Sequence, residues 1–311
     1  MAGTRHILNR LIKSSGQKVL LPFYHAVAPS QPDHVLPAMF HVRTPLQFEE
    51  DLKFFQSIGR AVSMSELVDI TLNGVKIEDP VFHITFDDGL REYCDFALPI
   101  LKRYKVPSSV FVNTEFVDNR DLFYRFKVAL ILNRSKQSHE TRTRLMEATH
   151  KDLDWIASVA EGSGIDFSAY LSKSRPYLTS VELQTLASEN FSIGSHSCDH
   201  KWFKFLSEDE MKDQVTRSFA WLKGRYNNEV NTFSFPFSDE GVPKSFLQWL
   251  HNSYGCQLSF GISGLKSDVA PNHLHRIPME NSLEPASKII VREYLKCVAR
   301  IPLGKNTIKR S

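Results

Sequence analysis

Two adjacent carboxylates, Asp87 and Asp88, end the segment Thr85-Phe86-Asp87-Asp88-Gly89, directly after the apolar run Val81 to Phe86. Neighbouring carboxylates repel each other. A divalent cation on one of them keeps both ionised and leaves the other free as a base. An Asp-Asp-Gly turn with Asp88 capping a helix that starts near Arg91 accounts for the same residues without a metal. Downstream, Gly194-Ser195-His196-Ser197-Cys198-Asp199-His200 follows a second apolar stretch. Histidines four apart share a face on a helical turn, the spacing at which two imidazoles grip one zinc ion. In a chain with 12 His the same spacing also arises by chance. Asp199 would point off that shared face. Taken together, the clusters offer two imidazoles and one carboxylate, which leaves a position for water, as in a catalytic rather than a structural zinc site. Asp87 is then the spare base.

TFDDG at Thr85 to Gly89 and HSxxH at His196 to His200 resemble the first two motifs of the polysaccharide deacetylase (NodB-homology) family of carbohydrate esterases. The resembling framework spans roughly Lys18 to Pro278, read from the alternation of strands and helices. The resemblance implies an α/β fold, a distorted and incomplete (β/α) barrel, and removal of N-acetyl groups from N-acetylglucosamine-containing glycans and related molecules. It further implies Asp87 as general base and Asp88, His196 and His200 as ligands of a divalent metal, with Zn²⁺ the expected ion.

Phe233-Ser234-Phe235-Pro236-Phe237-Ser238 resembles the family's third motif without its usual Arg and Tyr. In that motif the residue after Pro gives a backbone N–H to the oxyanion, a role open to Phe237 because no side chain is required. The missing Arg normally orients the base. Arg276, in Leu274-His275-Arg276-Ile277-Pro278, could substitute from another strand, or could be an ordinary surface Arg. Most relatives carry their acid as a His in a C-terminal Leu-x-His motif. A circularly permuted subgroup carries it near the N-terminus, in a form like Leu-x-Tyr-His. Leu21-Pro22-Phe23-Tyr24-His25 is similar to the latter. His25 is therefore expected to protonate the leaving amine, with His275 and then His273 as alternatives, and His83 reads as a packed core residue.

These residues need strand ends to hold them. Lys18 to His25 and Pro80 to Phe86 read as buried strands, the second covered on both faces. Helices are expected from Thr44-Pro45 through Phe55, from Ser63 to Leu72 with Ser63 as cap, and from about Arg91 to Tyr104. A strand Ser109 to Asn113 precedes residues Asp118 to Lys173, which are rich in helix formers and read as a helical insertion. There Phe123, Tyr124 and Arg125 either touch a sugar or pack helices. Alternation then resumes: helix Ser180 to Glu189, strand Phe191 to Gly194, helix Ser207 to about Tyr226, strand Asn231 to Phe235, helix Pro243 to about Asn252, and a last helix from about Ser287 to Ala299. The expectation is one domain over residues 1–311, carrying the 118–173 insertion, with functional groups at the C-terminal ends of strands.

Composition narrows the partners. A net charge of +3 over 311 residues lacks the clustered basic footprint of a nucleic-acid binder. Cys94, Cys198, Cys256 and Cys297 form no CxxC pair, so neither a disulfide framework nor a Cys zinc site is expected. No segment approaches a membrane span, and Met1 to Gln17 shows no signal-peptide core, so a cytoplasmic protein acting on an N-acetylated carbohydrate is expected. The sequence leaves the oligomeric state open. Two other readings fit the same residues: a glycan-binding pseudoenzyme, suggested by the altered third motif, and a hydrolase of the same family acting on a non-sugar amide or imide.

Overall fold

The computed structural model describes residues 2–189, 191–226 and 230–310. Its strands are β1 (Val19–Leu20), β2 (Pro22–Tyr24), β3 (Arg60–Ala61), β4 (Val81–Phe82), β5 (Ile84–Phe86), β6 (Ser108–Val112), β7 (Ser192–Ser195), β8 (Thr232–Ser234), β9 (Leu258–Gly261), β10 (Ser267–Asp268), β11 (His273–His275), β12 (Ile277–Pro278) and β13 (Thr307–Ile308). Eight of them form one parallel sheet in the order β11-β9-β8-β7-β6-β5-β2-β12. With helices outside, this is a nearly closed, distorted (β/α) barrel. The sheet's two edge strands, β11 and β12, are consecutive in the chain and separated by Arg276 alone. Its amide donates to Gly261 on one side, while the next amide, Ile277, donates to Leu21 on the other. The chain itself bridges the gap that a hydrogen-bonded ladder would otherwise close.

Both long strands expected from the sequence are split. Leu21 and His83 are breaks at which the pair steps from a three-stranded sheet, β1-β4-β3, into the barrel. His83 fills its break: one ring nitrogen lies 2.7 Å from the Val62 carbonyl and the other 2.8 Å from Ser109 Oγ. Burial pushes its imidazole down to about 4, so it stays neutral. It is a core residue, as its position suggested.

Helix starts follow capping chemistry. Thr44 and Gln47 form a capping box ahead of Pro45–Ile58, and Ser207 and Glu210 do the same for Glu208–Leu222. Ser63 caps Met64–Leu72, but the Glu66 carboxylate pairs with Arg60 instead of returning to the cap. The expected 207–226 helix begins after its Ser207 cap and ends four residues early, at Leu222, and the 91–104 helix opens as a π-turn, Tyr93–Ala97, before Leu98–Tyr104. A helix not anticipated from the sequence, Ala2–Ser15, lays Leu8 and Ile12 into the core shared with Ile290, Tyr294 and Cys297 of Ala286–Arg300. Its signal was present in Ile7-Leu8 and Leu11-Ile12, an i, i+4 stripe.

Between β6 and the helix Ser180–Ser188 the chain forms four α-helices, Tyr124–Arg134, His139–Glu147, Leu153–Gly162 and Phe167–Ser174, whose core also takes in Val35, Leu36 and Phe40. The excursion returns by pairing Tyr177 with Leu90, immediately beyond the Asp-Asp-Gly turn. Its first turn therefore lies against the strand ends that carry the chemistry. Among the described residues no helix is long and apolar enough to cross a membrane, and all four cysteines are free.

Candidate active site

The site is built on the C-terminal ends of β2, β5, β7, β8 and β12. A cavity of about 200 Å³ opens there, lined by His25, Asp87, Asp88, His196, His200 and Phe237 among others. A larger open groove, about 790 Å³, lies beside Lys18, Arg60 and Pro80, at the N-terminal ends of β1, β3 and β4, and contains none of these groups.

Asp87 and Asp88 leave β5 in different directions. The Asp87 amide still bonds to the Tyr24 carbonyl at 2.9 Å, whereas Asp88 (φ 68°) and Gly89 (φ 63°) turn left-handed. A side chain at position 89 would press into Val112 Cγ1 at 2.9 Å, so the turn needs Gly on steric as well as backbone grounds. Asp88 does not cap a following helix: the Arg91 amide bonds to the Pro176 carbonyl instead.

The two histidines are not on a helical turn, as their spacing had suggested. Residues 196–200 form an irregular loop with Ser197 at φ 69° and His200 at φ 60°. Side chains and backbone staple it. His196 N–H bonds to the Val112 carbonyl at 2.9 Å, Ser197 Oγ accepts from the His200 amide at 3.1 Å, and Gln214 accepts from the Cys198 amide at 3.0 Å. Asp199 turns away and pairs with Lys201 at 2.8 Å. Phe237 is also left-handed, at φ 59°. Its amide has no hydrogen-bond partner among the described residues. Left-handed conformations of non-glycine residues are costly, and their concentration here marks a segment held for a purpose.

The loop brings both imidazoles onto one carboxylate. Asp88 Oδ1 lies 3.4 Å from His196 Nε2 and 3.1 Å from His200 Nε2. One ligand atom from each of the three lies within 4.8 Å of the others, and all three residues are buried. Asp88 Oδ1 meets the geometric requirements of no hydrogen bond, so a buried carboxylate oxygen faces two imidazole nitrogens. His196 is held by its other nitrogen, 2.8 Å from the Ser234 carbonyl, which fixes the tautomer that leaves Nε2 as the bare lone pair. Two imidazoles and a carboxylate with open space beside them fit a divalent ion such as Zn²⁺.

Asp87 is separately fixed. Arg276 meets it through both terminal guanidinium nitrogens, each at 2.7 Å, and also donates to Thr85 Oγ1 at 2.9 Å and Ser234 Oγ at 2.7 Å. Arg276 is wholly buried, not a surface residue. Its guanidinium is ringed by Phe23, Phe111 and Phe260, with Phe23 centred 4.4 Å away. Burial, the largest single influence, would raise the Asp87 carboxyl, but the Arg276 charge and hydrogen bonds together with the charges of His196 and His25 outweigh it and hold the group below the ordinary carboxylate range.

On the far wall, His25 Nδ1 lies 2.8 Å from Glu280 Oε2, and the same carboxylate accepts from the His25 and Ala26 amides. Phe40 stacks on the imidazole at 4.2 Å. Burial lowers the His25 pKa, but the hydrogen bond and charge of Glu280 more than reverse this, with help from Asp88 and Asp87, lifting it to about 9. Glu280 and Ser234 were not singled out in the sequence. Glu280 carried a signal, since it follows directly on a strand that ends in Ile277-Pro278. Phe123 and Arg125 of the insertion reach the cavity, Phe123 packing 4.2 Å from the His200 ring and Arg125 over the Phe237 ring, while Tyr124 lies outside the lining. His273 and His275 do not reach it. They belong to a separate buried cluster with Asp239 and Asp268.

A family profile described as Polysaccharide deacetylase matches residues 74–252, and the chain belongs to that family. The match includes Asp87, Asp88, His196, His200 and Phe237. His25, Arg276 and Glu280 fall outside it and are brought in by β2 and β12. Comparison with curated proteins finds no match. Similar solved structures are the deacetylase PplD of Streptococcus pyogenes in complex with acetate (15% identity, TM-score 0.60, covering 88% of this chain and 97% of that one) and IcaB of Ammonifex degensii (18%, 0.59, 90% and 97%). A third is a de-N-acetylase of Aggregatibacter actinomycetemcomitans (11%, 0.56, 88% and 99%). At these identities the likeness concerns the fold.

Proposed function

We propose that this chain is a metal-dependent hydrolase that removes the N-acetyl group from an acetamido sugar or glycan. The observation that carries the reading is that one small cavity joins an ionised, Arg-clamped carboxylate to a separate set of two imidazoles and a carboxylate. A divalent cation on Asp88, His196 and His200 supplies a Lewis acid for the acetamide carbonyl and the attacking water. Asp87, kept ionised by Arg276, takes the proton from that water. The Phe237 N–H holds the developing oxyanion, at a position where backbone strain fixes its direction. His25, on the opposite wall, delivers a proton to the departing amine, and acetate leaves. Phe123, Phe40 and Phe237 give the cavity apolar walls suited to a sugar ring and its acetyl methyl. The pseudoenzyme reading rested on the Arg missing from the third motif. Arg276, between β11 and β12, makes that contact here, so the reading loses its support.

The test is acetate release from N-acetylated chitooligosaccharides, with cyclic imides assayed alongside. We expect release that a chelator abolishes and that added Zn²⁺ or Co²⁺ restores. Release undiminished by chelation sinks the metal, and turnover of imides alone sinks the sugar.

The Glu280 contact adds a prediction about pH. His25 is useful only while protonated, and Glu280 extends that form up to about 9. Activity should therefore fall as pH rises through that value. In Glu280→Gln the facing charges are reduced to Asp87 and Asp88, and the fall should move toward the ordinary imidazole value of about 6.5. A basic limb that does not move in the variant would remove His25 from the acid role.

A further inference from the structure

Behind the barrel edge, Asp239, Asp268, His273 and His275 offer ligand atoms that all lie within 4.8 Å of one another. They come from the loop after β8, from β10 and from β11. The side chains of both histidines and of Asp268 are fully shielded, and Asp239 is nearly so. β9 leaves space for them: a Cβ at Gly261 would overlap the Asp239 carboxylate and come within 2.7 Å of His275 Nδ1.

Hydrogen bonding dictates what His273 presents to this cluster. His251 Nδ1 lies 2.8 Å from the Cys256 carbonyl, which can only accept, so that nitrogen carries the proton. Its Nε2 then accepts from Ser259 Oγ at 3.0 Å, and Ser259 Oγ in turn accepts from His273 Nδ1 at 2.7 Å. Neutral His273 is left with a bare lone pair on Nε2. That atom is 3.3 Å from Asp239 Oδ2, out of line for a hydrogen bond, and has no partner among the described residues. A lone pair beside a carboxylate in a buried site needs a cation between them. On a tetrahedral ion with bonds of about 2.0–2.2 Å, donor atoms sit roughly 3.3–3.6 Å apart. His273 Nε2 to Asp239 Oδ2 is 3.3 Å.

The positive charge now at the cluster is Arg310, two residues after β13. Its Nε lies 3.0 and 2.9 Å from the two Asp268 oxygens, and its Nη2 bridges to Asp239. It neutralises both carboxylates without reaching the His273 lone pair. Its Nη1 also donates to the Asp239 and Val242 carbonyls at 3.2 and 3.1 Å, while β13 itself pairs with β10 over only two residues. We propose that Asp239, Asp268, His273 and His275 form a second divalent-cation site, separate from the active-site cavity, for which Arg310 is a built-in competitor. Withdrawal of the C-terminal strand exposes the ligands. Metal entry then displaces the guanidinium, and the His275 ring proton now shared with Asp268 moves from Nε2 to Nδ1, which frees Nε2 for the ion.

The test uses the full chain with the cavity's ligands removed by Asp88→Asn and His200→Ala, titrated with Co²⁺ alone, reading visible absorption and bound equivalents. Adding Arg310→Met should give one tightly bound equivalent, at least about tenfold tighter than with Arg310 in place, because the competent fraction of the site rises. A further His273→Ala should remove it. If the Arg310→Met chain binds no more cobalt than the His273→Ala chain, Arg310 is only a tether and the proposal is overturned. If Arg310→Met does not fold, Arg310→Lys keeps a charge that cannot bridge both carboxylates. Cobalt binding should then exceed that of the Arg310 chain, and equal binding overturns the proposal.

Discussion

Asp87→Asn is expected to lower turnover by about 10²- to 10⁴-fold, the usual worth of a positioned general base, while metal content stays at the parent level. The two outcomes separate because the ligand set does not include Asp87. Its nearer oxygen is 4.0 Å from His196 Nε2, and it is engaged by Arg276 and Ser234 instead. Asn keeps the shape and one acceptor for the guanidinium but cannot take a proton. Removing one partner of a buried ion pair costs about 3–5 kcal/mol. Here the loss should be at the lower end, because Thr85 and Ser234 still accept from Arg276. Activity and metal content should be measured on protein shown to be folded by circular dichroism. A variant that keeps most of its turnover removes Asp87 from the base role. One that loses its metal makes Asp87 a ligand.

The parts of this site that were legible in sequence are those in which chemistry and position coincide locally. Asp87-Asp88-Gly89 follows an apolar run, and a left-handed Asp-Gly pair at a strand end is what that order of residues permits. His196 and His200 were legible as a pair but not in conformation. A four-residue spacing is helical by default, and the loop is set by Ser195, Ser197 and Gln214 hydroxyl and amide contacts that have no period. The splits at Leu21 and His83 were hidden because an apolar run does not say which sheet each residue joins. Glu280 and Arg310 lie 255 and 42 residues from their partners His25 and Asp268, and no local pattern joins them. Arg276 was found as a possibility only because a known role lacked an occupant. Its burial follows from its place in the topology, at the single residue between two edge strands.

That placement makes Arg276 the residue whose loss should change most. With Arg276→Met, Asp87 keeps its burial but loses the guanidinium charge that holds its pKa down. The carboxyl should then rise above the ordinary range, and pH dependence should change sign. In the parent protein Asp87 is more acidic folded than unfolded. Its contribution to stability is present above the unfolded value of about 3.9 and is lost as pH falls through the folded one. In the variant the folded value is the higher one. Stability should be greatest at low pH, where Asp87 is protonated, and should fall by about 3–5 kcal/mol as pH rises and the buried carboxylate has no partner. Urea unfolding of chelated protein between pH 5 and 8 measures this without interference from a bound ion. Turnover should show the opposite trend, low near neutrality and recovering toward alkaline pH as Asp87 ionises, until His25 loses its proton. Arg276→Lys separates charge from geometry: one ammonium keeps Asp87 ionised but cannot hold both of its oxygens, Thr85 and Ser234 together. That variant should retain the parent's stability trend with pH and lose rate at every pH. If Met and Lys behave alike, Arg276 acts through barrel closure alone, and the ionisation of Asp87 is set by something else in the cavity.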